Sequence, residues 1–296
     1  MSKIIVTHTS PDLDAVTSVW LLKRFLPEWA NAKVAYVPAG QQLENNSEEH
    51  EILHVDTGMG ELDHHQFQDE TICAASIVRD YVLKQPDTTL TEQSKITALD
   101  HIIDLVIDED HFQQVFYPDS DSYIREFTLV GILDGMKLQP GIDDDHIIAR
   151  GMEALDALLL SFESRVTAEE ELKNGKTFST KWGDAIACET VNDTVMKLAQ
   201  IKGYSVVVRL DPSSHLLRIK AWPRMRSDKK HTSSIPKERD IDLTPVYTIV
   251  KEKDPYASWF LHASKRMLLN GSSKNPNSIS TKLEIDEIIE ILKSIQ

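Results

Sequence analysis

The chain has 296 residues, 41% of them hydrophobic and 27% charged, which excludes a disordered or fibrous protein and leaves room for two domains. No apolar run reaches the ~18 residues needed to span a bilayer, "MSKIIVTHTSPD" turns polar too early for a signal peptide, and two distant cysteines, Cys73 and Cys188, exclude a disulfide framework. The net charge of −15 is uneven: residues 1–201 carry 15 Lys+Arg against 36 Asp+Glu, and residues 202–274 carry 15 against 7.

That asymmetry points to a cation-binding half followed by an anion-binding half. Two unpaired thiols and the lack of a membrane segment lead us to expect a cytoplasmic protein with no membrane partner.

In chain order, "KIIVTH" is a short β-branched run that predicts a buried strand. "DAVTSVWLLKRFL" has helical spacing, "AKVAYVP" and "EILHVD" read as strands, and "TICAASIVRDYVLKQ" reads as a helix. Strand, helix, strand, strand, helix with short connections predicts a parallel sheet covered by helices. From about Thr91 to Lys173 the pattern is helical, in "SKITALDHIIDLVIDE", "SYIREFTLVGILDGMK" and "DHIIARGMEALDALLLSFESRVTAEEELKNG". The character changes near residue 175. Beyond it "DAIACE", "YSVVVRL", "HLLRIKAW" and "SWFLHAS" predict strands, with helices at "VNDTVMKLAQ" and "TKLEIDEIIEILKSI". The expected fold class is α/β. A first domain with a parallel sheet and a helical connector is expected over 1–175, and a smaller, basic α+β domain over 176–296.

The chemistry-bearing residues sit after strands. "HTSPDLDA" supplies His8, Asp12 and Asp14 behind the first strand. "HVDTGMGELDHHQF" supplies Asp56, Asp63, His64 and His65 behind the third. Ligands of parallel α/β sheets bind beyond the carboxyl ends of the strands, so one crevice can collect both groups. "DLVIDEDH" adds Asp104 or Asp108. Four carboxylates in one crevice raise each other's pKa values unless cations neutralise them. Two divalent ions would balance four charges, and mixed imidazole and carboxylate ligands suit manganese, iron or zinc better than calcium. A two-metal clamp is the arrangement used for in-line displacement at phosphorus.

"HTSPDLDA", "HVDTG", "LDHHQ" and "LVID" resemble the four motifs of the DHH phosphoesterase superfamily. Together with "WFLHASKRMLLNGSSKN" they look most like the melanocyte-proliferating-gene type, whose members act as 3′–5′ RNA exonucleases. The resemblance runs over most of the chain. It implies His8 and Asp12 on one metal, Asp14, His64 and Asp108 on the other, and Asp56 bridging them. It implies His65 facing the substrate, Asp63 orienting the histidines, and two manganese ions as cofactors. The superfamily's second domain contributes substrate contacts, which here implies His262, Ser264, Arg266, Gly271, Ser272 and Lys274.

The strand "LRIKAWPRMR" adds Arg218 and Lys220, which alternation places on one face with Trp222. The expected partner is short RNA or another single-stranded oligonucleotide, and an oligomer is compatible. Two other functions fit the same residues. One is hydrolysis of pyrophosphate or polyphosphate, since "RSDKKH" is similar to the basic C-terminal motif of family II pyrophosphatases. The other is a metal-dependent nucleotide-binding regulator without turnover.

Overall fold

The computed structural model describes residues 2–44, 50–224, 240–271 and 275–296. Its contacts divide the chain into two compact units, Met1–Glu163 and Ser164–Gln296. The fold is α/β, with a three-stranded parallel sheet in the first unit and a six-stranded mixed sheet in the second. No helix among the described residues is long and apolar enough to cross a membrane.

In the first unit, strand β1 (Ser2–His8) lies between β2 (Lys33–Val37) and β3 (His50–His54). Both neighbours run parallel to it, with Ile5 opposite Val34 and Val6 opposite His54. Helix α1 (Leu13–Phe25) follows β1, and its residues from Ala15 to Leu22 are all buried. A helix apolar all round must be covered on every side. Its covers include α2 (Ala74–Lys84), α3 (Gln93–Asp110) and α4 (Leu129–Lys137). The N-terminal part of α5 (Asp144–Lys173) also reaches it: Trp20 donates from Nε1 to Asp156 at 3.1 Å. Gly151 on α5 lies so close to α1 that a Cβ there would stand 2.4 Å from Val16 Cγ1.

"SYIREFTLVGILDGMK", expected as one helix, is broken. A 3₁₀ turn covers Tyr123–Glu126, and α4 starts afresh after Thr128, whose hydroxyl accepts from Gly131 N. A threonine that caps a helix ends whatever helix precedes it.

The second unit builds its sheet in the order β4 (Lys176–Thr180), β5 (Gly183–Glu189), β6 (Val206–Leu210), β7 (Leu217–Ala221), β9 (Met267–Asn270), β8 (Trp259–Leu261). Only β5 and β6 are parallel. Strand alternation splits the buried side chains into two cores. Ala185, Ala187, Val206, Val208 and Ile219 pack with α7 (Thr244–Lys253) and α8 (Ile285–Ser294). Ile186, Cys188 and Val207 pack with α6 (Thr194–Ile201) and with Ala168 and Leu172 of α5.

Helix α7 and strands β4 and β9 have no counterpart among the predicted elements. In α7 the run Val246–Val250 is rich in residues that favour strands. Pro245 in its first turn and the burial of Val246 and Val250, four apart, make it a helix instead.

Candidate metal centre

Register brings the first two motifs together. Val6 pairs with His54, so His8 and Asp56, each two residues further on, emerge at the same end of the sheet. His8 Nδ1 lies 3.0 Å from the Thr9 carbonyl oxygen and donates to it, which leaves Nε2 as the ring's lone pair. That Nε2 stands 3.2 Å from Asp56 Oδ2 and 3.7 Å from Asp12 Oδ2. Asp12 also caps α1, its Oδ1 accepting from Ala15 N at 3.0 Å. Asp14, in the first turn, is buried and takes two more backbone donors, Ala74 N at 2.7 Å and Ala75 N at 2.6 Å, from the start of α2. Two helix N-termini therefore face these carboxylates, a favourable pairing of dipole and charge.

The short loop from Asp56 to Asp63 is closed by a bridge between Val55 and Leu62 and by Asp56 N bonding to Leu62 O at 3.2 Å. Asp56 sits in the left-handed region at φ 53°, a conformation uncommon outside glycine that Asn, Asp and His adopt more readily than other residues. Asp63 is fully buried. Its Oδ2 accepts from Met59 N at 2.7 Å and its Oδ1 from His65 Nδ1 at 2.7 Å.

His64 and Asp56 carry the clearest sign of a missing partner. Both His64 Nε2 and Asp56 Oδ1 are buried without a hydrogen bond. His64 Nε2 is surrounded by Asp14 Oδ2 at 3.7 Å, Asp56 Oδ1 at 3.6 Å and Asp110 Oδ2 at 3.6 Å. These are too long for hydrogen bonds. They are close to the ~3.4 Å between neighbouring ligands of an ion held tetrahedrally at ~2.1 Å. Among the described residues, three sets of side chains have ligand atoms within range of one ion: His8 with Asp12 and Asp56, Asp56 with His64 and His65, and His64 with Asp110 and His111.

The titration behaviour shows the same demand for positive charge. Burial alone would lower His8, yet the Asp12 and Asp56 carboxylates raise it to about 11. Contact with Asp56 pushes His64 up to about 9 against the opposing effect of burial, with Asp110 and Asp14 adding to the rise. Burial and the Asp56 charge push Asp14 well above the usual carboxylate range, and burial raises Asp110. Without a cation, the cluster holds protons in its place.

The fourth carboxylate is Asp110, where the sequence pattern pointed to Asp108. On α3, Asp108 instead accepts a hydrogen bond from the Tyr117 hydroxyl, and Asp104 is exposed. Positions two apart on a helix face different ways, so only one of 108 and 110 can look into the cluster. The apolar run "LVI" marks the helix and not its final residue. His111 also comes beside His64, its Nε2 donating to the Ile72 carbonyl at 2.8 Å. His54 Nε2 accepts from Leu43 N at 2.9 Å and anchors a loop.

In the second unit, alternation along β7 buries Leu217, Ile219 and Ala221 and leaves Arg218 and Lys220 half-buried on the other face. Arg218 lines a cavity of about 530 Å³ with Arg209, Asp193 and Asn275. Arg209 is 5% exposed. Its Nη1 donates to Thr190 O at 2.8 Å, and its Nε lies 3.2 Å from Asp193 Oδ1. A single arginine inside "VVVRL" is the only sequence sign of it.

His262 Nδ1 accepts from Ser264, whose Oγ lies at 2.9 Å, in an exposed turn. Arg266, expected at the surface, is turned inward: it is 5% exposed and donates from Nη1 to the Trp222 carbonyl at 2.7 Å. Trp222 itself packs against the larger core. Gly271 has φ 76°, and a Cβ there would stand 2.6 Å from Leu216 Cδ2, so packing accounts for this glycine. Ser272 and Lys274, like the "RSDKKH" stretch, lie outside the described residues.

No family model matches the chain, and no curated protein matches it. Among solved structures, an uncharacterised protein from Helicobacter pylori G27 is 11% identical, with 100% of this chain and 98% of that one covered, at a TM-score of 0.29. A member of the s1p family of ribosomal proteins, described as a DHH domain, is 12% identical, with 98% and 85% covered, at a TM-score of 0.26. Both scores are too low to assign a shared fold.

Proposed function

We propose that this chain is a two-metal phosphoesterase of the DHH type, acting on phosphodiester bonds as a 3′–5′ exonuclease on short RNA or other single-stranded oligonucleotides. The observation that carries the reading is the unbonded His64 Nε2, held among the oxygens of Asp14, Asp56 and Asp110. A buried imidazole and three buried or half-buried carboxylates fit a divalent cation better than they fit one another. We assign one ion to His8, Asp12 and Asp56 and the other to Asp14, Asp56, His64 and Asp110, with manganese as the preferred metal.

Cations bound there would neutralise phosphoryl charge and make a water molecule acidic enough to attack near neutral pH. The protein's own groups do the rest. Asp63 fixes His65 with Nδ1 inward, so its other nitrogen, Nε2, is free to hold a proton for the leaving oxygen. The α2 backbone donors keep Asp14 in place with both oxygens engaged. In the second unit, Arg218 and Lys220, with Arg209 behind them, are the proposed contacts for substrate phosphates, and His262 and Ser264 add polar donors.

The test is to incubate the purified protein and manganese with pyrophosphate, a dinucleotide and a short RNA side by side. Nucleoside monophosphate released stepwise from the RNA is the expected result. Turnover of pyrophosphate alone would replace this reading by phosphoanhydride hydrolysis. Tight nucleotide binding with no turnover would leave a regulator.

A further inference from the structure

One segment of the first unit, residues 112–138, turns large apolar side chains to solvent. Phe116 is 80% exposed, Tyr123 and Phe127 93% each, and Leu138 85%, with Phe112 and Ile124 also open. Single exposed apolar residues are ordinary. A concentration of this kind in one segment is not.

The segment is also firmly built. Arg125 lies over the Tyr117 ring at 4.9 Å and donates to the Pro118 carbonyl at 2.6 Å. Thr128 caps α4, and a Cβ on Gly131 would stand 2.1 Å from Glu126 O, so the approach of these two turns needs a glycine. Leu133 is the one buried side chain of α4. A scaffold locked from within therefore presents the aromatics outward, and α4 has almost no core of its own.

We propose that this face is the interface of a homodimer. Four exposed aromatics at ~150–250 Å² each, with the aliphatic residues among them, amount to roughly 1,000 Å² of apolar surface. A standard interface buries about 800 Å² per partner, and the largest apolar patch of a typical monomer is about 300–600 Å². Mixed aromatic and aliphatic composition is that of a homodimer interface core. Charge speaks against nucleic acid as the occupant. Within 112–138, Asp119, Asp121, Glu126 and Asp134 outnumber Arg125 and Lys137, so a phosphate backbone is repelled. A twofold interface sets the same patch against itself and needs no partner of opposite charge.

Sedimentation velocity of the full chain at micromolar concentration should give twice the chain mass. Because the chain carries −15, added salt should tighten the dimer. A variant combining Tyr123→Glu and Phe127→Glu should sediment as a monomer that still melts cooperatively with the wild-type far-ultraviolet circular dichroism, since neither side chain enters the core. Independently of any variant, hydrogen exchange of the wild type should slow at 112–138 as concentration rises. A wild-type monomer, a dimer that survives the double variant, or concentration-dependent protection elsewhere overturns the proposal. Protection of 112–138 by a short RNA in monomeric protein overturns it in favour of a nucleic-acid surface.

Discussion

Asp63 and His65 form a pair in which one member is sealed and the other is open: the carboxylate is fully buried, the imidazole side chain is 54% exposed, and 2.7 Å separates Oδ1 from Nδ1. The pair joins the fold to the solvent side of the cluster. Burial raises Asp63, but His65 and the backbone donors outweigh it and hold the carboxyl below its ordinary range. His65→Ala should keep the metal content and lose activity by about 10²–10⁴. Asp63→Asn should lose about 10–100-fold, again with metal retained, because the ring is no longer held in one tautomer. Elemental analysis alongside turnover checks both. Loss of metal in His65→Ala would assign that residue to the ligands.

Asp56 is the residue shared by both proposed ion sites, and in the metal-free chain its carboxylate faces the raised imidazoles of His8 and His64. Asp56→Asn keeps a side chain that tolerates φ 53° and removes one negative charge from the cluster. The metal-free variant should melt below the metal-free wild type near neutral pH, because the carboxylate that helps keep His8 and His64 protonated is gone. The rise in melting temperature that manganese gives the wild type should vanish. Thermal melts with and without chelator decide this. A variant that still gains stability from manganese would remove Asp56 from the bridge.

Asp108 and Asp110 separate a helix-surface role from a ligand role. Asp110→Asn should lower bound metal to about one ion per chain and abolish most activity. Asp108→Asn should leave metal content and activity in place while lowering the melting temperature by a few degrees, through loss of the Tyr117 contact. The reverse pattern would restore Asp108 as the fourth ligand.

Stability of the metal-free chain should fall as pH rises. His8 and His64 have folded-state values of about 11 and about 9, above the unfolded 6.5, and Asp14 and Asp110 are raised as well. The native state then binds more protons than the unfolded state, so stability declines with pH. The histidine contribution is complete below about pH 6.5 and fades as pH climbs through about 9 to 11. The Asp14 and Asp110 contributions begin to fade above the ordinary carboxylate value. With manganese bound, ions replace the protons and the melting temperature should hold steady or rise over the same range. A metal-free melting temperature that climbs from pH 6.5 to 9 would contradict the charge arrangement described.

Short-range information was enough for much of this protein. Alternation and β-branching marked β1, β2, β3, β5, β6 and β7, because a strand's inward and outward faces repeat every two residues. Motif spacing marked His8, Asp12, Asp14, Asp56, His64 and His65, because each follows a strand and parallel strands end together. Other features depended on what lies far away in sequence. Whether Asp108 or Asp110 faces the cluster is a question of helix phase, and the packing of α3 decides that. Whether Arg266 faces solvent depends on the Trp222 carbonyl, 44 residues earlier, that receives it. Arg209 stands in an apolar strand, and only the pairing of β6 with β7 sets it opposite Arg218. Tyr123 and Phe127 lie in a stretch whose pattern predicts one continuous helix. In the fold a 3₁₀ turn and the fresh start of α4 after Thr128 replace that helix, the close approach of Gly131 to the Glu126 carbonyl fixes the break, and both rings stand exposed.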